Sequence, residues 1–163
     1  MITNILSRKT CAQCKYCCSY TDKDLWDAPG FTKEEFQELS KNYNLPTVLR
    51  NNLYYLKMNK NEIGEYTCPL LTSKGCQLDT NKPFKCAIWP LYVIYYENQV
   101  AIAVSDVCPE VSKVNDSIIL QGITDLIPSI KQIIQKHPEL IEEYRKEFRI
   151  LCYLTVGSIP KFV

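Results

Sequence analysis

No charge of one sign dominates this sequence: 19 Lys and Arg stand against 18 Asp and Glu, for a formal net charge of +1. That balance gives no footing to a nucleic-acid binder or an acidic-tail protein. No apolar run is long enough to span a bilayer. The longest candidate, WPLYVIYYENQVAIAV, is broken by Glu97, Asn98 and Gln99. The first residues, MITNILSRKTC, lack the continuous apolar segment and small-residue cleavage site of a signal peptide. There is no internal repeat and no low-complexity segment. Walker-type loops, GxGxxG, GxSxG and HExxH are all missing, so no motif announces a nucleotide or S-adenosylmethionine. Together these absences lead to the expectation of a soluble, cytoplasmic protein with neither nucleic acid nor membrane as a partner. At 163 residues the chain suits one domain, 1–163, with a real core.

What the sequence does have is cysteine, nine in all. Four crowd into CAQCKYCC as Cys11, Cys14, Cys17 and Cys18; Cys68, Cys76, Cys86 and Cys108 follow, and Cys152 stands alone. In a secreted chain such a count would suggest disulfides. In a reducing cytosol, clustered cysteines serve more often as metal ligands or redox groups. Cys152, among Ile150, Leu151 and Leu154, reads as a small core residue.

Around the cysteines the patterning predicts a mainly helical α+β domain. A first helix opens at GFTKEEF, where Thr32 is an N-cap, Glu35 completes a capping box, and Phe31 and Phe36 take the staple positions. Phe36, Leu39 and Tyr43 recur on one face. A second helix is expected over TVLRNNLYYLKM, with Pro46 in its first turn and Val48, Leu49, Leu53 and Leu56 as its stripe. From 64 to 90, Gly64, Pro69, Gly75, Pro83 and Pro90 interrupt any helical period, so an irregular cysteine-rich lobe is expected. LYVIYYENQVAIAVS reads as a β-hairpin. After Cys108 the isoleucines from Ile118 to Ile134 repeat at helical spacing, with a break expected at Pro128. A last helix is expected from near Pro138. This divides the domain into a cysteine-cluster region, 8–110, and a C-terminal helical region, 111–163.

Two cysteines separated by two residues can chelate one metal centre from a tight turn, which is why the spacing recurs at zinc and iron–sulfur sites. Here the unit is doubled as Cys11-x2-Cys14-x2-Cys17, followed at once by Cys18. Consecutive cysteines diverge in most backbone conformations. The Cys17–Cys18 pair therefore suggests a polynuclear cluster, two centres, or one free thiol, for which Cys18 is the candidate. Eight clustered cysteines suffice for two tetrathiolate zinc sites, or for an iron–sulfur cluster with thiols to spare. Arg8, Lys9, Lys15, Lys74, Lys82 and Lys85 flank them and could offset thiolate charge, or could simply be solvated.

These residues resemble the YkgJ-type cysteine-cluster family, whose signature is CxxCxxCC. CAQCKYCC carries the first block, and FTKEEF is similar to the family's threonine–acidic segment. CPLLTSKGCQLDTNKPFKCAIWP is similar to its second block, with Lys82 where the family has arginine and Ala87 where an arginine often follows the cysteine. The likeness covers residues 8 to 110. It implies a zinc- or iron-chelating site, and the module also occurs in flagellin lysine methylases described as iron–sulfur proteins. The resemblance thus points to an iron–sulfur (4Fe-4S) cluster, or two metal centres, held by Cys11, Cys14, Cys17, Cys18, Cys68, Cys76, Cys86 and Cys108. The alternatives are a structural zinc module meeting a protein partner, and an iron–sulfur-dependent modification enzyme, such as a methyltransferase, with a protein substrate. Beside the cluster, Trp89 would shield it or serve as core, and Asp106 would support a ligand. Tyr54, Tyr55, Tyr92, Tyr95 and Tyr96 would line a site or pack with wet hydroxyls, and His137 would be an exposed loop residue.

Overall fold

The computed structural model describes Leu6 and residues 8–155. Of these residues 35% are helical and 28% lie in strands, arranged in four sheets. The α+β class is right, but the chain is not mainly helical. It divides into two compact units, residues 7–87 and residues 88 onward with Leu6.

The unit of residues 7–87 is a set of short elements. α1 (Arg8–Cys14) ends where Lys15 turns left-handed at φ 57, and a single 3-10 turn, Tyr16–Cys18, leads into β1 (Ser19–Tyr20). β2 (Gly30–Phe31) precedes α2 (Lys33–Ser40). The capping box is present: Thr32 Oγ1 accepts from Glu35 N, and Glu35 Oε2 accepts from Thr32 N. Leu39 is buried, and Phe36 and Tyr43 pack against the same core.

The expected second helix is instead a hairpin, β3 (Thr47–Arg50) and β4 (Leu53–Leu56), closed by Asn51 and Asn52 at φ 49 and 61. Two consecutive left-handed residues make the two-residue turn whose twist matches paired strands, and asparagine is among the few side chains that tolerate that conformation. Val48 and Leu49 accordingly stay exposed rather than forming an apolar stripe. β2 pairs on the other side of β4, and a Cβ on Gly30 would lie 2.9 Å from Leu53 and Tyr55 side chains, so only glycine permits that approach.

The stretch from 64 to 90, expected to be irregular, holds brief regular elements. β5 (Asn59–Lys60) and β6 (Tyr66–Thr67) pair, and β7 (Leu71–Thr72) and β8 (Gly75–Cys76) form a small hairpin. α3 (Phe84–Ile88) follows Pro83. The core of this unit is Phe31, Leu39, Leu56, Leu70 and Leu78, with Cys68, Cys76 and Cys86 packed on it. Burying each of its largest side chains contributes about 1.5–3 kcal/mol.

The unit from residue 88 is built on one sheet. β9 (Leu91–Tyr96) and β10 (Gln99–Ser105) form the expected hairpin, turning through Glu97 and Asn98 at φ 48 and 64. β10 is buried along nearly its whole length, so both its faces are covered. α4 (Asp116–Ile123) is separated from α5 (Ile127–Lys136) by a 3-10 turn, and Pro128 sits in the first turn of α5, where the break was expected. Ile119, Ile123, Ile130 and Ile134 are buried.

The expected last helix is absent. After a 3-10 turn, Pro138–Leu140, the chain forms β11 (Glu142–Glu143), parallel to β9, and β12 (Phe148–Leu154), antiparallel to β10. The sheet order is β11–β9–β10–β12. β10 would otherwise be an open edge, and pairing it with the strand-prone run Phe148 to Leu154 outweighs the helix-like charge pattern before it. Cys152 lies in β12 opposite Ile102, half-buried, as a packing residue.

Candidate metal centre

None of the nine cysteines is in a disulfide. The backbone of the first unit gathers five of them, Cys17, Cys18, Cys68, Cys76 and Cys86, from three separate segments. The first link is a two-residue ladder in which β1 pairs antiparallel with β6, Ser19 opposite Thr67 and Tyr20 opposite Tyr66. Cys68 N donates to Cys18 O at 2.8 Å and extends that ladder by one step, which sets Cys18 beside Cys68. The second link is the β7–β8 hairpin. Leu71 N donates to Cys68 O, Leu71 stands opposite Cys76, and Gln77 N donates to Leu70 O. The turn needs Gly75, which sits at φ 103 with the Ala12 Cβ of α1 only 3.0 Å from where its own Cβ would be. The third link is α3, carrying Cys86. Phe84 N donates to Glu35 Oε1 at 2.6 Å, so one carboxylate closes the cap of α2 and anchors the start of α3.

The thiols feel one another. Cys17 Sγ and Cys18 Sγ are 4.0 Å apart. The expected divergence of the adjacent pair is therefore overturned, because the 3-10 turn directs both sulfurs to one side. The hydrogen bond to Cys18 pushes the Cys17 thiol far above its ordinary range, burial and the neighbouring thiolate charge add to this, and Lys82 partly opposes it. Cys18 is drawn down by the hydrogen bond with Cys17. Its hydrogen bond with Cys68, its burial and the charges of Cys68 and Cys76 outweigh that and hold it at about 12. Burial, then Cys18, Cys17 and Cys76, raise Cys86 well above the usual value, again with Lys82 opposing. Burial and mutual contact thus disfavour the thiolate form of these three groups.

Sequence reasoning passed over Tyr20 and read Glu35 only as a cap, and both shape this site. Tyr20 is 7% exposed and donates its hydroxyl to Cys17 O at 2.7 Å. Burial first, then the Cys86 and Cys18 charges, push its phenol upward, so it stays neutral beside the sulfurs. Glu35 was legible as a cap, but its hold on α3 was not. Lys82 is the flanking lysine whose charge reaches Cys17 and Cys86.

The remaining candidates are placed differently. Cys11 and Cys14 lie one helical turn apart on α1, not in a tight chelating turn, and Cys14 is exposed. Cys108 is buried in the unit from residue 88, where Ser112 N donates to its carbonyl. Asp106 in that unit accepts from Arg149 Nε at 2.8 Å, and Arg149 also pairs with Asp116. Trp89 packs on the sheet core with Tyr92 and Ile94. Tyr54 stacks on Phe36, Tyr92 on Phe148, Tyr55 lies under Arg50, and Tyr96 meets Tyr144. The buried Tyr95 hydroxyl has no hydrogen-bond partner among the described residues. His137, expected to be exposed, is only 13% exposed and contacts Glu139 Oε1 at 3.2 Å.

Among the described residues no group of three or more Cys, His, Asp or Glu side chains is set as a finished metal-binding group. The donors nevertheless fit a thiophilic metal in chemistry: soft sulfur atoms from three segments, half-buried, beside one lysine. Among the described residues no helix is long and apolar enough to cross a membrane. In comparisons with known proteins, no family model, no curated protein and no solved structure matches the chain.

Proposed function

We propose that the unit of residues 7–87 is a metal-binding module that holds an iron–sulfur cluster, or two metal centres, through its cysteines. The observation that carries this reading is the convergence of Cys17, Cys18, Cys68, Cys76 and Cys86, brought together by a ladder, a hairpin and a carboxylate-anchored helix. Five sulfurs exceed the four that one tetrahedral ion takes. Cys11 and Cys14 on α1, which packs on Gly75, complete the proposed ligand set of this unit, and Cys108 belongs to the other unit. The likeness of CAQCKYCC to the YkgJ-type signature supports the same reading at the level of motif. Bound there, a cluster would supply one-electron chemistry and cross-link three segments of chain. The chain's own residues would give up thiol protons on loading, exclude water through Tyr20, and offset thiolate charge through Lys82. The reading places the protein in a reducing compartment, the cytoplasm.

A second reading, a structural zinc module that meets a protein partner, is favoured by one distance. The 4.0 Å between Cys17 Sγ and Cys18 Sγ is close to the edge, about 3.8 Å, of a tetrahedron with zinc–sulfur bonds of about 2.3 Å. Serine substitutions separate the readings. In protein purified without oxygen, Cys68→Ser or Cys76→Ser is expected to lose the bound metal. A cluster loses its visible absorption with it; a zinc site has none to lose. Unchanged metal content in both variants would sink both readings.

A further inference from the structure

The β1–β6 ladder sets two thiols face to face. Ser19 stands opposite Thr67 and Tyr20 opposite Tyr66, so the next position along puts Cys18 opposite Cys68. Cys68 N donates to Cys18 O at 2.8 Å, which makes that position a hydrogen-bonded one. Residues paired in this way across antiparallel strands stand about 5.5 Å apart at Cα. A disulfide spans about 4.4–6.8 Å between Cα atoms. The side chains meet as well, since the Cys18 thiol is hydrogen-bonded to Cys68. Both residues are half-buried, so neither is sealed from a small oxidant.

Among the gathered thiols this pair is the best placed to bond. Cys17 Sγ also lies 4.0 Å from Cys18 Sγ, but joining them closes a small ring through the peptide between them, which a planar trans bond strains. We propose that in the metal-free protein Cys18 and Cys68 form a reversible disulfide across the ladder, and that this bond closes the metal site. The step is thiol–disulfide exchange with a low-molecular-weight disulfide such as oxidised glutathione. One cysteine thiolate attacks the glutathione disulfide and releases the first glutathione; the second cysteine displaces the other. Two cysteine thiols are oxidised, two glutathione thiols form, and no net proton is gained or lost. A disfavoured thiolate form makes the exchange slow, without changing how close the two sulfurs lie. The bond withdraws Cys18 and Cys68 from the ligand set. That consequence, unlike the bond itself, rests on the metal reading above.

The test equilibrates the full chain, stripped of metal, with mixtures of oxidised and reduced glutathione. Remaining thiols are trapped with N-ethylmaleimide, and the links are mapped by mass spectrometry. A link from the peptide of Cys17 and Cys18 to that of Cys68 is expected, and dithiothreitol should reverse it. Cys17→Ser should retain the link and Cys18→Ser should lose it. Reduced protein should take up zinc, or iron with sulfide; oxidised protein should lose that uptake until dithiothreitol restores it. Links confined to Cys17–Cys18 or Cys11–Cys14, glutathione adducts alone, a Cys68 link that persists in Cys18→Ser, or equal metal uptake by oxidised and reduced protein would each overturn the proposal. A Cys18–Cys68 link in protein whose reduced form takes up no metal would uphold the bond and overturn the metal reading.

Discussion

At the scale of single residues, the thiols are where energy and function meet. Cys18 has an ordinary value of 9.0 and is held at about 12 in the folded protein. A raised thiol value means the native state holds its proton more tightly than the unfolded chain. The associated stability is whole below about pH 9 and is lost as pH climbs toward about 12. Across that window deprotonation of Cys18 lowers the stability of the folded state progressively. The metal-free protein should therefore unfold more easily above pH 9, and Cys18→Ser should flatten that fall; chemical denaturation at a series of pH values measures both. Metal binding has the opposite sense. It requires thiolates, so loading should tighten as pH rises and should release protons, which calorimetry in two buffers of different ionisation heat detects.

Short elements, each weak alone, bring the sulfurs together. Thr32 and Glu35 make this testable, because the two share a cap but only Glu35 also holds α3. Both Thr32→Ala and Glu35→Ala should cost about 1–2 kcal/mol in thermal unfolding. Only Glu35→Ala should also weaken metal retention, by freeing the start of the helix that carries Cys86. The capping box, the β9–β10 hairpin and the Pro128 break were legible because each rests on local chemistry: a hydroxyl and a carboxylate three residues apart, strand-prone arms around a polar turn, a missing N–H. The β3–β4 hairpin was not. Asn51-Asn52 is a weaker turn signal than Asn-Gly, and Leu53 and Leu56 mimic a helical stripe. Asn52→Gly should relieve the left-handed conformation at φ 61 and stabilise the unit by about 0.5–1 kcal/mol, read from the denaturation midpoint. β12 was missed for a different reason. Its role is set by the open edge of β10, far away in sequence, which no local pattern reports.

For the whole molecule, two units with different means of support are expected to respond differently. The unit from residue 88 has a continuous sheet with Ile94, Ala101, Ile102, Ala103 and Val104 fully buried. The unit of residues 7–87 has sheets of two or three short strands and a smaller core, with free thiols packed on it. A chelator should make the first unit sensitive to protease between residues 57 and 87 while leaving the sheet unit intact; equal resistance of both units with and without chelator would mean that metal does not support the fold. The cysteine spacing raised the expectation of a metal module. Which thiols meet was hidden, because it depends on Cys68 extending the β1–β6 ladder and on Glu35 reaching Phe84. The most direct measurement is the iron, zinc and acid-labile sulfide content per chain of protein purified without oxygen. Iron and sulfide in comparable molar amounts, bound through the cysteines, is the predicted result. Full occupancy by zinc without sulfide would contradict the cluster, and the absence of any bound metal would contradict the metal centre altogether.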